Sequence, residues 1–193
     1  GLAVQGTASV GRDLSIGGVV TGTTTFGQTT PIHVGSIDNL TDVLSELDGV
    51  ADVVIRGELA YVASEVDDGV SIIDISDPTN PTHVGAITDD VVTRLDGAVG
   101  LDVVGNYAYV VTSIDNSLQI LDISDPTNPV GVGQIIDDTT LALGGVTGIA
   151  IVGSEAYVTS YAEDGVQILD ISDPTTPFGV GQITDGGPLE LVG

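Results

Sequence analysis

The chain has 193 residues, a net charge of −25, and no cysteine, methionine or tryptophan. Its 28 acids face three bases, Arg12, Arg56 and Arg94, with no lysine, which argues strongly against a nucleic-acid or anionic-membrane partner because phosphate binding needs a basic patch. No run approaches the roughly 18 apolar residues of a membrane helix, lack of cysteine rules out disulfides, and a 41% hydrophobic content separates the chain from a disordered acidic tail.

With so few aromatics, the core must come from Val, Ile, Leu and Ala, and Val and Ile favour pleated strands. The acidic surface suits high salt or divalent cations that screen it, and it works as a solubility coat. The chain starts at Gly1 with no signal peptide in view, which reads as a processed protein or a fragment.

Residues 1–28 alternate strictly: Leu2, Val4, Gly6, Ala8 and Val10, then Leu14, Ile16, Gly18, Val20 and Gly22. The two runs superpose at a spacing of 12, and Phe26 begins a third turn. Period-two alternation means strands with one apolar face, and so short a segment needs partner chains or the following domain to bury it. This region resembles the shaft segments of tail-fibre and adhesin-like surface proteins, often intertwined trimers. The other reading is a β-arm packed on its own domain.

Residues 29–193 follow a 48-residue unit: Ile75-Ser76-Asp77-Pro78-Thr79-Asn80-Pro81 returns from Ile123 and again from Ile171, there with Thr176 in place of the Asn. A period of this size marks a solenoid, propeller or array. Strand A is Ala51 to Ile55, with copies Gly100 to Val104 and Gly148 to Val152. Strand B carries Ala60-Tyr61-Val62, Ala108-Tyr109-Val110 and Ala156-Tyr157-Val158. Strand C runs Val70 to Ile75, Leu118 to Ile123 and Val166 to Ile171, and strand D runs Pro81 to Gly85, Pro129 to Gly133 and Pro177 to Gly181.

The A–B turns hold Arg56-Gly57-Glu58, Gly105-Asn106 and Gly153-Ser154, and the B–C turns hold Asp67-Asp68-Gly69, Asp115-Asn116-Ser117 and Glu163-Asp164-Gly165. Ser-Asp-Pro-Thr makes the C–D turn, because Asp bonds its own backbone two residues on and Pro presets φ. Four short strands per unit predict an all-β protein of four-stranded antiparallel propeller blades.

The C strands followed by Ile-Ser-Asp-Pro-Thr-x-Pro resemble the LVIVD repeat, found in bacterial and archaeal surface or secreted proteins. The resemblance covers residues 29–193 in three full copies. It implies a β-propeller at a prokaryotic cell surface or outside the cell, and no general biochemical activity. The unit is longer than the roughly 42 residues usual for such blades. The excess lies in the D-to-A connections, Asp89 to Leu95 and Asp137 to Leu143.

Pro31-Ile32-His33-Val34-Gly35 also matches strand D, and Leu191-Val192-Gly193 matches Leu143-Gly144-Gly145. The order is one D strand and then three full ABCD sets, so the extra D strand lacks the set it should join. Either further blades of the same chain or neighbouring subunits complete the ring, and an edge strand pairing with another chain is an established route.

Catalysis finds little support, and no catalytic, cofactor or metal residues are assigned. His33 and His83 occupy one repeat position that holds Gly131 and Gly179 elsewhere, which reads as drift. Thiol and amine nucleophiles are absent, and a phosphate loop ending in Lys is impossible. Asp74, Asp122 and Asp170, on the side of Ile72, Ile120 and Ile168, are expected to cap backbone N–H groups of a neighbouring turn. Asp77, Asp125 and Asp173 are expected to form turns. Tyr61, Tyr109 and Tyr157 are expected to pack between blades with the hydroxyl on a polar partner.

Calcium is the one ligand chemistry kept open, on Asp67, Asp68, Asp115, Glu163 and Asp164 of the B–C turns and Asp89, Asp90, Asp137, Asp138 and Asp185 of the connections. Solvated turns are the other reading of those acids. Asn39-Leu40-Thr41 fits a glycosylation pattern, and Thr23, Thr24, Thr25, Thr29 and Thr30 suit O-glycans, both only in an exported chain.

The sequence therefore describes a non-enzymatic extracellular structural protein, a subunit or fragment of a surface fibre, filament or coat. It has an N-terminal β-arm or assembly segment over 1–28 and LVIVD-type blades over 29–193. Its expected partners are identical subunits or further blades of its own chain, with no nucleic acid and no membrane insertion. The alternative is a cell-surface adhesion or ligand-binding propeller module, with calcium as the ligand that would steady it.

Overall fold

The computed structural model describes residues 33–37, 47–138 and 140–185. The chain divides into two compact units, Gly1–His33 and Val34–Gly193. The arm expected over 1–28 lies outside the described residues, as do Asn39 to Thr41 and Leu191 to Gly193.

The described part of the second unit holds three four-stranded antiparallel sheets and, among the described residues, no helix. The first blade is β1 (Val50–Arg56), β2 (Leu59–Ser64), β3 (Gly69–Asp74) and β4 (Thr82–Thr88). The second is β5 (Ala98–Val104), β6 (Tyr107–Thr112), β7 (Ser117–Asp122) and β8 (Val130–Ile136). The third is β9 (Val146–Val152), β10 (Glu155–Ser160), β11 (Gly165–Asp170) and β12 (Phe178–Thr184). Each blade is an up-and-down meander in chain order, so strands A to D of the sequence reading all form.

Turn chemistry explains the meander. Gly57, Gly105 and Gly153 take φ near 60° (62, 60 and 63°) between the first two strands of each blade. The next hairpin places positive φ on Asp68, Asn116 and Asp164 (52, 50 and 47°), types that tolerate the left-handed region. The Ser-Asp-Pro-Thr turn is stiffened three times. Asp77, Asp125 and Asp173 each accept the N–H and hydroxyl of the Thr two residues on, at 2.9 and 2.6, 3.0 and 2.6, and 3.0 and 2.7 Å.

The period-two pattern does not show the bulges. The pairing of β3 with β4 slips between Ile72 and Ile73, and the same slip recurs at Ile120/Leu121 and Ile168/Leu169. The bulged residue is Val84, Val132 or Val180, and a glycine follows it each time. A bulge turns its strand out of the flat sheet, which here brings Gly85 and Gly133 against the next blade's turn.

Two buried cores fill the spaces between blades. Tyr61, Val70 and Ile72 of the first blade pack with Leu101, Val103 and Val110 of the second. Tyr109, Leu118 and Ile120 of the second pack with Val146, Val158 and Leu169 of the third. Buried polar side chains bridge the connections. The Gln119 carbonyl accepts the Arg94 N–H at 2.9 Å, and its amide donates to the carbonyls of Ile120 at 3.1 Å and Gly133 at 3.0 Å. Gln167 does the same with Ala142, Ile168 and Gly181.

Of the extra D strand expected from Pro31 to Gly35, His33 to Gly35 are described, and residues 33–37 join no ladder. They still occupy a strand-D place: Gly35 meets the turn at Pro78 and Thr79 as Gly85 meets Pro126 and Thr127, and Ile37 packs on Ala60, Val62 and Ile73.

Replacing Gln119 by Ala removes the partner of the part-buried Arg94 N–H and Gly133 carbonyl and leaves a hole where the buried side chain stood. An unsatisfied buried group costs about 1–3 kcal/mol, so Gln119→Ala should lower unfolding free energy by about 2–4 kcal/mol, measured by urea titration. A change below about 0.5 kcal/mol, the scale of ordinary surface substitutions, would contradict this role.

Candidate functional site

The residues singled out in the sequence fall on the blade junctions and turns. Asp74, Asp122 and Asp170 are half-buried and cap the turn ahead, accepting the N–H of Ser76, Ser124 and Ser172 at 2.8 Å each. The capping holds, while the core-facing placement is only half met, since these residues end their strands at the rim. Hydrogen bonds from the Ser76 side chain and N–H hold the Asp74 carboxyl below the usual carboxylate range, and Ser124 and Ser172 do the same for Asp122 and Asp170.

Tyr61 and Tyr109 are buried between blades, while Tyr157 is half-buried on the outer side of the third blade and donates to Glu155 at 2.6 Å. His83 is not simple drift. A Cβ on Gly131, at the matching position, would lie 3.1 Å from the Gln119 amide nitrogen. The first blade carries Ser71 where the second has Gln119, so a large and a small residue have exchanged places. The His83 Nε2 is buried without a hydrogen-bond partner.

Most of the loop acids weighed for calcium accept backbone N–H groups, and the amide of Asn116 does the same at the place of Asp68. Asp68 and Asn116 accept the N–H of Gly97 and Gly145 in the next connection, at 2.8 and 2.7 Å. Asp89 and Asp137 accept those of Leu95 and Leu143 at 2.9 and 3.1 Å. Asp90 accepts Val92 and Thr93, both at 2.7 Å, and Asp138 accepts Thr140 at 2.6 Å. Among the described residues no three His, Cys, Asp or Glu side chains gather as a metal set.

Two residues escaped the sequence reading. Asp52 accepts its neighbour Val53 at 2.8 Å and Leu101 of the next blade at 3.1 Å. Asp102 accepts Val103 at 2.7 Å and Ile151 of the third blade at 3.1 Å, and carries an ion pair with Arg56 at 3.2 Å. They clip adjacent first strands together. Asp52 matches Gly100 and Gly148 in the unit and Asp102 matches Val54 and Ala150, so repeat comparison hides them.

The strongest candidate for a functional surface is the bare first strand of the first blade together with the outer face of the third. Leu101 and Val103 of the second blade are 2% exposed, and their counterparts on the first, Val53 and Ile55, are 53% and 56% exposed. At the other end Val180 and Ile183 are 56% and 61% exposed, though Val132 and Ile135 at the same places pack in a core. A cavity of about 350 Å³ opens there, lined by Thr140, Leu141, Gln167, Gly179, Val180 and Gly181 among others. It occupies the position filled between the second and third blades by Pro174 and Thr175 against Gly133.

The LVIVD repeat family matches residues 49–89, 97–137 and 143–185, and the chain belongs to that family. No curated protein matches it. Among solved structures, a functionally unknown protein from Desulfotomaculum acetoxidans DSM 771 aligns with a TM-score of 0.59 at 18% identity, over 72% of this chain and 43% of that one. A protein from Bacteroides fragilis NCTC 9343, provisionally named a 6-phosphogluconolactonase, aligns with a TM-score of 0.60 at 15% identity, over 71% and 39%. Hydrazine synthase from Kuenenia stuttgartiensis gives 0.56 at 16% identity, over 78% and 40%. These likenesses establish a β-propeller type of fold. The chain spans about two fifths of the length of these structures.

Two measurements follow from the acids. The lowered carboxyls of Asp74, Asp77, Asp122, Asp125, Asp170 and Asp173 stabilise the fold above the unfolded value of about 3.9, and that support is lost as pH falls through their folded values. Asp96 has the opposite sign: burial, then the charges of Asp68 and Asp115, push its carboxyl up, so its ionisation opposes folding as pH rises. Asp96→Asn should raise the melting temperature at pH 7 and give little gain at pH 3; equal gain at both would contradict the assignment. Because most of the loop acids already accept backbone N–H groups, a chelator should leave the melting temperature unchanged, and a clear fall would show that calcium steadies them.

Proposed function

We propose that this LVIVD-repeat chain is a non-enzymatic structural protein of the cell surface, a subunit of a fibre, filament or coat joined through β-sheet contacts. The observation that carries the reading is the exposure of Val53 and Ile55 on the first blade and of Val180 and Ile183 on the third, whose counterparts inside the chain pack between blades. Exposed apolar surface of this kind favours association, and a strong like charge keeps such surfaces from joining indiscriminately.

The described chemistry supports a structural role over a catalytic one. Most of the turn and connection carboxylates accept backbone N–H groups, and His83, half-buried within β4, has no carboxylate or hydroxyl on its Nε2. Export is supported by the resemblance to a family found in surface or secreted proteins.

Deleting residues 1–28 tests the assembly role of the arm. Loss of assembly, seen by electron microscopy, with blade melting unchanged by circular dichroism is the expected result. Intact assembly with lost adhesion to cells would favour the adhesion module instead.

A further inference from the structure

We infer that the cavity beside Gly181 is a socket for the Ser76-Asp77-Pro78-Thr79 turn of a second copy of this chain, so that copies join head to tail as their own blades do. This deepens the assembly reading above and rests on it.

The chain shows what covers such a face. A Cβ on Gly85 would overlap the Pro126 carbonyl and come within 3.0 Å of the Thr127 backbone. On Gly133 it would overlap the Pro174 carbonyl and lie 3.1 Å from Thr175. At both, the next blade's turn seats on a glycine because nothing larger fits. Gly181 is the same residue of the third blade, yet nothing lies within 4 Å of a Cβ there. Its local structure does not require glycine, and a seated turn would.

The complementary part is on the first blade. Its Pro78–Thr79 turn is stiffened by Asp77 like the other two. It now receives Gly35, with Ile37 laid over Ala60, Val62 and Ile73. Val34, Gly35 and Ile37 therefore stand where Val180, Gly181 and Ile183 of another copy would stand, and they must leave for the joint to form. Beside them Val53 and Ile55 are bare, ready for the first strands of a preceding blade. Two copies bring two times three, six, four-stranded sheets, inside the range of about four to eight blades of closed propellers.

The joint would be weaker than the internal ones. Glu155 and Thr159 stand on the third blade where Leu59 or Tyr107 and Ala63 or Val111 stand on the others, and each chain carries a charge of −25. Association should strengthen with salt, which screens that repulsion.

The test is sedimentation velocity on the full chain across protein concentration and sodium chloride. The wild type should move from the 19.5 kDa monomer towards its dimer as both rise. Gly181→Val, which has room in the free chain, should stay monomeric with an unchanged melting temperature. Gly35→Val drives a side chain into Pro78 and should free the head, raising association at a given salt, and the double variant should be monomeric. If the wild type associates and Gly181→Val associates equally, assembly runs through another surface, and this inference fails while the structural role stands. If the wild type stays monomeric in every condition, both fail.

Discussion

A side chain on Gly85 or Gly133 would run into the carbonyl oxygen of the proline in the next blade's turn, and the rest of the architecture is arranged around that contact. The bulge in the last strand of each blade brings its glycine outward, and the Asp-Pro-Thr turn meets it as a fixed object. The turn is fixed because proline sets one φ and the aspartate holds the threonine N–H and hydroxyl together. A flexible turn would lose conformational entropy at every junction. The buried Gln119 and Gln167 accept an N–H of the preceding connection and donate to the carbonyl of the junction glycine, tying sheet, connection and joint together.

What was legible in the sequence was what the backbone needs locally. The 48-residue repeat of Val- and Ile-bearing runs marked all twelve strands, and the Gly, Asn and Asp of the hairpins marked where φ turns positive. What was not legible depends on a neighbour. Gly85 reads as an ordinary strand glycine until the next blade is placed against it. Asp52 and Asp102 sit at different positions of the unit, so alignment of the copies conceals that both clip one first strand to the next. The exchange of His83 and Ser71 for Gly131 and Gln119 looks like drift until a Cβ at Gly131 is seen to press on the glutamine amide.

The acidity of the chain also changes meaning with the structure. A charge of −25 read as a solubility coat, yet many carboxylates serve as acceptors for N–H groups that irregular connections leave unpaired. Asp89, Asp90, Asp137 and Asp138 each organise the connection that makes this unit long. An acid suits the task because it only accepts and has several lone pairs. The consequence is crowding of like charge between the first and second blades, where Asp96 stands near Asp68, Asp89 and Asp115. Arg94 answers part of it through its 3.2 Å pair with Asp115.

The junctions themselves are graded along the chain. Between the first and second blades Asp52 clips Leu101, and Arg56 reaches both the Val103 carbonyl and the Asp102 carboxylate. Between the second and third, the Asp102 clip to Ile151 remains, and Val104 stands where Arg56 stood. On the third blade the corresponding places hold Gly148, Ala150 and Val152, with neither clip nor cation. In a repeat array each joint contributes its own nearest-neighbour free energy, so cohesion falls from the first joint to the outer face of the third blade. That face keeps the glycine and the aliphatic residues of a joint without the charged fastenings. Contacts made there would rest on apolar burial and shape, the terms that salt strengthens rather than screens, while the charged clips hold the internal joints of the folded chain.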